Sequence, residues 1–285
     1  MTLTMNTLTR TVTTIAILLL SLVALSCGQT DERTAVAMST ISTRELQSLQ
    51  KQRIYFGHQS VGANIMQGVK EIAAAHPDVP LNVVALKAGP LPQYYITESK
   101  IGENGEPASK CTAFQSFLSR SFPAGLDIAV MKFCFVDIRK NSPVEEIFAT
   151  YRKAVDSIKA AHPSLRLVHV TVPLSVRTSW WKLLIKKVLS KEDLNDMNNI
   201  ARNRFNILLR ETYKNEPIFD LAEVESTRAD GSRDSFTHDG TTYYSLVSDY
   251  SHDGGHLNAT GRIVVADHFL RTLAAVADST GAGRP

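Results

Sequence analysis

Short apolar segments rich in β-branched residues recur along the chain and limit its folds more than any other feature. They span residues 54–56, 81–86, 127–134, 165–174 and 217–220. Patterns typical of helices separate them, and this alternation indicates parallel strands joined by crossover helices. Because such crossovers are right-handed, the carboxyl ends of the strands share one edge of the sheet, where ligands bind. The sequence therefore predicts a three-layer α/β/α sandwich with a mostly five-stranded parallel sheet.

Two short motifs at opposite ends of the chain carry candidate catalytic chemistry. The segment IYFGHQSVG places Ser60 where an apolar strand turns into a helix, and DGGHLN places Asp253 three residues before His256, ahead of the last helix. A serine hydroxyl becomes a useful nucleophile when an imidazole takes its proton, and an acidic partner orients that imidazole. The helix dipole at Ser60 also favours an oxyanion there. These residues predict a Ser-His-Asp triad, although a helix N-cap and a polar loop would show the same letters.

With these motifs the chain resembles the SGNH/GDSL hydrolase superfamily from Arg53 to about Ala277. The family's nucleophile block corresponds to residues 57–62, its oxyanion glycine to Gly89 after the second strand, and its closing Asp-x-x-His to Asp253 and His256. The helical pattern around Asn206 is similar to the family's penultimate helix. The resemblance implies the flavodoxin-like SGNH hydrolase fold and ester hydrolysis without a cofactor.

The third conserved block of that family departs from its usual pattern here. Where the family has Gly-x-Asn, this chain has Cys134, a phenylalanine and Val136, followed by Asp137; Gln59 also replaces the aspartate before the serine. Valine cannot donate a hydrogen bond, and losing one oxyanion donor costs roughly a hundredfold to a thousandfold in turnover. The oxyanion hole would then rest on the backbone amides of Ser60 and Gly89. Alternatively, Gln59, Asn64 or a protonated Asp137 supplies the missing donor.

The N-terminal segment predicts export. Arg10 precedes a mostly apolar stretch, residues 11–26, which ends in small residues before Cys27. This pattern is typical of a signal peptide rather than a membrane-spanning helix. Cys27 resembles the lipid acceptor of a bacterial lipoprotein; the alternative is ordinary cleavage with Cys27 in the discarded part. We therefore expect a signal peptide over residues 1–27, a polar tether over 28–43, and a lipid-anchored protein of the periplasm, at the outer membrane.

Composition narrows the class of partner. The chain has 31 lysines and arginines against 28 acidic residues, and Arg10 is the only charged residue in the first 27, so the exported part is close to neutral. Such a balance argues against nucleic acid as the main partner. With 44% hydrophobic residues overall, residues 44–285 can bury one core, and we expect one monomeric domain. The eight histidines are scattered and predict no metal site.

The remaining two cysteines leave two interpretations open. In the predicted topology Cys111 opens the helix before the third strand and Cys134 ends that strand, so both lie near the edge that carries the site. An oxidising compartment would allow a disulfide between them. The alternative is two buried thiols, because free cysteine packs as a small hydrophobic residue.

Two further segments follow strand ends at the predicted site. Residues 175–189 are basic and contain Trp180 and Trp181, which fits a lid, a wall that stacks on sugars, a membrane-surface helix or a plain core helix. Residues 225–251 are rich in turn-forming pairs such as Asp239-Gly240. Long connections of this kind in compact domains are usually functional or mobile.

Taken with the envelope location, the motifs favour a serine esterase that removes acetyl or other small acyl groups from a carbohydrate. In this interpretation Ser60 attacks the acyl carbonyl, His256 acts as base and then acid, and Asp253 orients it. Two alternatives use the same fold: an O-acyltransferase acting on a glycan, and a non-catalytic glycan-binding module. The membrane would be contacted only through the N-terminal lipid.

Overall fold

The computed structural model describes residues 39–86, 91–122, 125–178 and 194–279. Its helices are α1 (Thr43–Leu49), α2 (Ser60–Ala75), α3 (Pro107–Arg120), α4 (Val144–Ala161), α5 (Leu194–Thr212), α6 (Leu221–Ser226) and α7 (Ala259–Asp278). Its strands are β1 (Arg53–His58), β2 (Val83–Ala85), β3 (Tyr95–Lys100), β4 (Ile128–Met131), β5 (Arg166–Val170), β6 (Ile218–Phe219), β7 (Ser235–His238) and β8 (Thr241–Tyr244). A short 3-10 helix, Ser248–Tyr250, precedes the loop of the second motif.

The main sheet contains six strands in the order β2-β3-β1-β4-β5-β6, and every pairing in it is parallel. The predicted fold class is confirmed. The sheet has one strand more than the expected five, because β3 inserts between β2 and β1. Its sequence, YITESK, lacks the continuous apolar run by which the other strands were predicted. This insertion changes which loop borders the end of β1.

The helices cover both faces of the sheet, and each face has its own apolar cluster. On one face α1, α2 and α7 pack against β1, with Ile65 of α2 and Phe269 of α7 fully buried. On the other face α3, α4 and α5 surround Phe114, Tyr151 and Phe205. These two clusters give the three layers of the predicted sandwich. Among the described residues, no helix has both the length and the apolar character needed to cross a bilayer.

The first described residues are tied to the last helix. Asp267, nearly buried in α7, accepts hydrogen bonds from the backbone amides of Thr40 and Ile41, both at 2.8 Å, and from the Ser39 hydroxyl at 2.7 Å. Ser42 then caps α1 in a reciprocal pair with Glu45. Residues 39–43, which the sequence assigned to the tether, therefore make specific contacts with the domain.

Asparagine side chains of α5 take the place of backbone partners for the chain that follows β5. Asn206 accepts from the Val172 amide at 2.7 Å and donates to the Val172 carbonyl at 2.9 Å. Asn199 makes the same pair of bonds with Ser175, at 3.0 and 2.7 Å. Each side-chain amide thus satisfies both backbone groups of one residue, as a neighbouring strand would. This arrangement fixes α5 against the carboxyl edge of the sheet.

The turn-rich segment after α6 forms a hairpin of β7 and β8. Asp239 and Gly240 both have positive φ, 47° and 76°, as a two-residue turn of type I′ requires. Asn203 of α5 bonds to both backbone groups of Tyr244 in β8, donating at 3.0 Å and accepting at 3.3 Å. The hairpin is thereby attached to the same helix that borders the site.

Candidate active site

Ser60 lies where the sequence predicted, at the carboxyl edge of the sheet. It is the first residue of α2 and follows the central strand β1 after one intervening residue. The turn is tight: a Cβ atom on Gly62 would lie 2.2 Å from the His58 ring, so only glycine fits where α2 passes over that ring. Ser60 is half-buried, and its hydroxyl makes no hydrogen bond with any residue that the structure describes. The nucleophile position is therefore free of competing contacts.

Asp253 and His256 form the second half of the predicted triad. Oδ2 of Asp253 lies 2.6 Å from Nδ1 of His256, and Oδ1 accepts from the backbone amides of His256 at 2.8 Å and Gly255 at 2.9 Å. Partial burial opposes ionisation of Asp253, but these hydrogen bonds hold its pKa well below the usual value. The carboxylate is thus fixed beside the imidazole, and Nε2 of His256 has no partner among the described residues.

A contact between the loop and α2 brings the two motifs together. The backbone amide of Leu257 donates to Oδ1 of Asn64 at 3.3 Å. Asn64 is four residues after Ser60 and shares its face of α2, because residues one turn apart are neighbours on a helix. The residue after His256 therefore touches the helix one turn from Ser60. No hydrogen bond joins Ser60 to His256 here, and such bonds are often long in enzymes without substrate.

The groups predicted to hold the oxyanion have different roles in the structure. Gly89 lies outside the described residues. The Gln59 side chain donates to the carbonyls of Ile101 at 3.0 Å and Gly102 at 2.6 Å, which uses both of its amide hydrogens. Asn64 Nδ2 has no partner among the residues described. Of the side chains proposed as substitute donors, Asn64 keeps a free N–H.

Asp137, the remaining candidate, is engaged as an acceptor in a buried ion pair. Its Oδ2 accepts from Lys110 Nζ at 2.5 Å and from the Cys134 amide at 2.6 Å, and its Oδ1 accepts from the Gly105 amide at 2.8 Å. Both side chains of the pair are fully buried. Asp137 therefore joins the loop after β4 to the loop after β3.

The sequence analysis did not single out Gly102, which lies two residues after the end of β3. β1 is bordered by β3 and β4, and Gly102 follows β3 at the carboxyl edge of the sheet. Its φ is +51°, and a Cβ atom there would lie 2.5 Å from the Lys110 amide. The Gly102 amide has no acceptor among the described residues. The Gly102 carbonyl accepts a hydrogen bond from the side chain of Gln59, the residue before Ser60. The sequence does show a glycine shortly after residues 95–100. Its role could be inferred only if those residues had been recognised as a strand.

A cavity of about 560 Å³ opens beside the imidazole. It is lined by Phe135, Val136, Arg139, Arg202, Asp253 and His256, among others. The Phe135 ring lies edge-on to the His256 ring, with 5.7 Å between centroids. The third block, in which Val136 replaces the family's asparagine, therefore forms a wall of the candidate site. Trp180 and Trp181 lie outside the described residues, as does Cys27.

The two cysteines are present as thiols. Cys111 and Cys134 are both free and buried, and burial raises the pKa of the Cys111 thiol to about 12. Cys134 Sγ lies 3.8 Å from Nζ of the buried Lys132. The structure thus contains the second of the two alternatives that the sequence left open. Within the described residues no group of three or more His, Cys, Asp or Glu side chains is arranged to hold a metal ion.

A serine after the central parallel strand and an Asp-x-x-His loop before the last helix now lie at one edge of the sheet. This is the α/β/α arrangement that the resemblance to SGNH/GDSL hydrolases implied. No family model matches this sequence, and no curated protein matches it.

Several solved structures are similar to this chain at low identity. An acetyl xylan esterase, AlAXEase, is 14% identical and matches 76% of this chain and 97% of its own, with a TM-score of 0.43. An acetyl esterase variant with an acetate ion is 13% identical over 80% and 98% of the two chains, with a TM-score of 0.44. A protein described as a GDSL-like lipase from Parabacteroides merdae is 12% identical over 80% and 98%, with a TM-score of 0.45.

Proposed function

We propose that this protein is a serine esterase that removes acetyl or similarly small acyl groups from a carbohydrate of the cell envelope. One observation carries the proposal: the loop that holds the Asp253–His256 pair, joined at 2.6 Å, contacts Asn64 through Leu257, one turn after Ser60 in the same helix. An acyl-transfer triad consists of a carboxylate that orients an imidazole, and of a serine hydroxyl that the imidazole can deprotonate. Asp253, His256 and Ser60 supply these three groups.

The proposed reaction uses these groups in sequence. Ser60 Oγ attacks the acyl carbonyl and passes its proton to Nε2 of His256, while Asp253 stabilises the imidazolium. The backbone amides of Ser60 and Gly102 bind the oxyanion, and Asn64 Nδ2 supplies a third donor in place of the family's asparagine. The bond between the acyl carbon and the sugar oxygen then breaks, and His256 protonates that leaving oxygen to give the sugar hydroxyl. Water attacks the acyl-enzyme, and His256 removes its proton, which releases the acid and restores Ser60.

A second candidate function is a non-catalytic glycan-binding module. It is favoured by Val136, which stands where the family has an oxyanion-binding asparagine. Val136 lines the cavity beside His256 and offers no hydrogen-bond donor from its side chain. A serine-directed phosphonate separates the two functions, because it reacts only with an activated serine. We expect mass spectrometry to find one adduct, on Ser60, and no adduct in a His256→Ala variant. An unmodified Ser60 in folded wild-type protein would contradict the esterase proposal and support the binding module.

We further propose that Cys27 carries the lipid that places this enzyme at the envelope. A lipoprotein modification supplies several acyl chains, whereas a single chain gives only marginal membrane binding. The wild-type precursor, expressed in a bacterium, is expected to incorporate an alkyne fatty acid and to sediment with membranes. Cys27→Ala should lose the label, and Cys111→Ala serves as the matched control that keeps it. Unlabelled wild-type protein would assign Cys27 to an ordinary signal peptide.

A further inference from the structure

We propose that the cavity beside His256 binds an anionic group of the substrate, so that the ester cleaved at Ser60 is carried by an acidic sugar such as a uronate. This inference rests on the proposed esterase function and names its substrate class. The cavity volume, about 560 Å³, lies within the range of about 300–1,000 Å³ found for small-molecule sites. The cation at the base of this cavity carries the argument.

Arg202 is a buried cation with an unused donor. It is only 3% exposed. Nε donates to the carbonyls of Phe135 at 2.8 Å and Ile138 at 3.2 Å, and Nη1 donates to Ser175 Oγ and Asn199 Oδ1, both at 2.8 Å. These bonds fix the guanidinium, yet Nη2 has no acceptor among the residues described. Because Arg202 lines the cavity, an oxygen of a bound ligand can complete its hydrogen bonding.

Arg202 forms no ion pair with a carboxylate among the described residues, since the acceptors of its hydrogen bonds are all neutral. Burial lowers its pKa to about 10, which still leaves it cationic at neutral pH. Glu225 is an acidic group that influences Arg202 electrostatically, and burial raises the pKa of this carboxyl to about 8. Glu225 Oε1 accepts from the Leu174 amide, and Oε2 has no hydrogen-bond partner among the described residues. A buried cation without a hydrogen-bonded carboxylate is costly, and an anionic ligand would supply one.

A second arginine extends the positive potential to the rim of the cavity. Arg139 is exposed, donates through Nε to the Val136 carbonyl at 3.1 Å, and has no acidic partner among the described residues. The one carboxylate that lines the cavity, Asp253, is already engaged with His256. Arg139 and Arg202 therefore present positive charge around the imidazole. Guanidinium groups bind carboxylates through short, charge-assisted hydrogen bonds.

The test compares acetylated sugars that differ only in charge. The substrates are a methyl glycoside of acetylated glucuronic acid, the matching neutral uronamide, and a sulfated acetyl glucoside, with acetate release measured for each. We expect the wild-type kcat/KM to favour the uronate over the uronamide by about tenfold or more, because hydrogen bonds to a buried charge are strong. The preference should shrink at high salt. Calorimetry on a Ser60→Ala protein should give the same ratio for binding, without any turnover.

Variants locate the effect. Arg139→Gln should reduce the uronate preference by about twofold to fivefold, as expected for an exposed charge, and Arg202→Lys should reduce it further by removing the fixed fork. Arg120→Gln, an exposed arginine at the end of α3, is the control and should leave the ratio unchanged. If Arg202→Lys unfolds, Arg139→Gln carries the test.

Each outcome decides between the proposals. Equal rates and equal binding for the uronate and the uronamide would overturn the anion site but leave the esterase proposal intact. A stronger preference for the sulfated sugar would overturn the carboxylate assignment. Tighter binding of the uronate by the Ser60→Ala protein, with no acetate released by wild type, would support the anion site and refute the esterase.

Discussion

We expect a Ser60→Ala variant to lose ester turnover by at least about a thousandfold, because the members of a triad act as a unit and one deletion removes most of their effect. The free energy of unfolding should change by less than about 1 kcal/mol. The reason is structural: the Ser60 hydroxyl makes no hydrogen bond with the described residues, so the alanine leaves no partner unsatisfied. Initial rates with a short-chain p-nitrophenyl ester and thermal unfolding measure the two quantities.

Asp253→Asn extends the same expectation to the imidazole. The asparagine can hold the ring in the wrong tautomer, and such a change costs up to about 10⁴ in kcat. Asp249→Asn, an exposed substitution in the 3-10 helix that precedes the loop, is the matched control and should retain activity. Wild-type rates in Ser60→Ala, or equal losses in the two aspartate variants, would contradict the assigned triad.

The second large effect is expected on stability, at the buried Lys110–Asp137 pair. Lys110→Met leaves the Asp137 carboxylate buried without its counter-charge, and breaking a buried pair in this way costs about 3–5 kcal/mol. Lys159→Met is the matched control, because its ion pair with Glu216 is partly exposed and is worth less than about 1 kcal/mol.

Urea unfolding of the two lysine variants measures the difference. If Lys110→Met lost no more stability than Lys159→Met, the prediction would be contradicted, and water or another cation would have to replace Lys110 beside Asp137. Because Asp137 joins the loops after β3 and β4, we also expect Lys110→Met to lower esterase activity at temperatures below its unfolding transition.

The sequence predicted the fold class because the apolar runs of β1, β4 and β5 are continuous and buried. It did not reveal β3, whose polar side chains are satisfied by tertiary partners. Glu98 lies 2.8 Å from His58 Nε2 and 2.7 Å from Lys70 Nζ, and Thr97 donates to the Val84 carbonyl at 2.9 Å. Burial opposes ionisation of Glu98, but the bonds from His58 and Lys70 lower its pKa. A pattern of hydrophobicity cannot anticipate such partners.

The site was predictable where its geometry is local. Asp253 and His256 are three residues apart, so one loop sets their distance. Gly102 and Arg202 depend on which strand borders β1 and on how α5 docks, and neither can be read from spacing. Gly89 was assigned from the family resemblance as the glycine after the second strand, and it lies outside the described residues. β3, which lies between β2 and β1, brings Gly102 to the end of a strand that borders β1.

The asparagines of α5 that replace a backbone partner also connect site integrity to hydrogen exchange. The amides of Val172 and Ser175 lie beyond the end of β5, yet each is held by a side chain of the helix that carries Arg202. These two protons exchange with solvent only when their bonds to Asn206 and Asn199 of α5 break. Their exchange rates therefore report how often the base of the cavity comes apart while the central strands remain folded. If the amide protons of these two residues exchange fast while those of the central strands exchange slowly, the core is intact and the contact between α5 and the sheet edge opens locally.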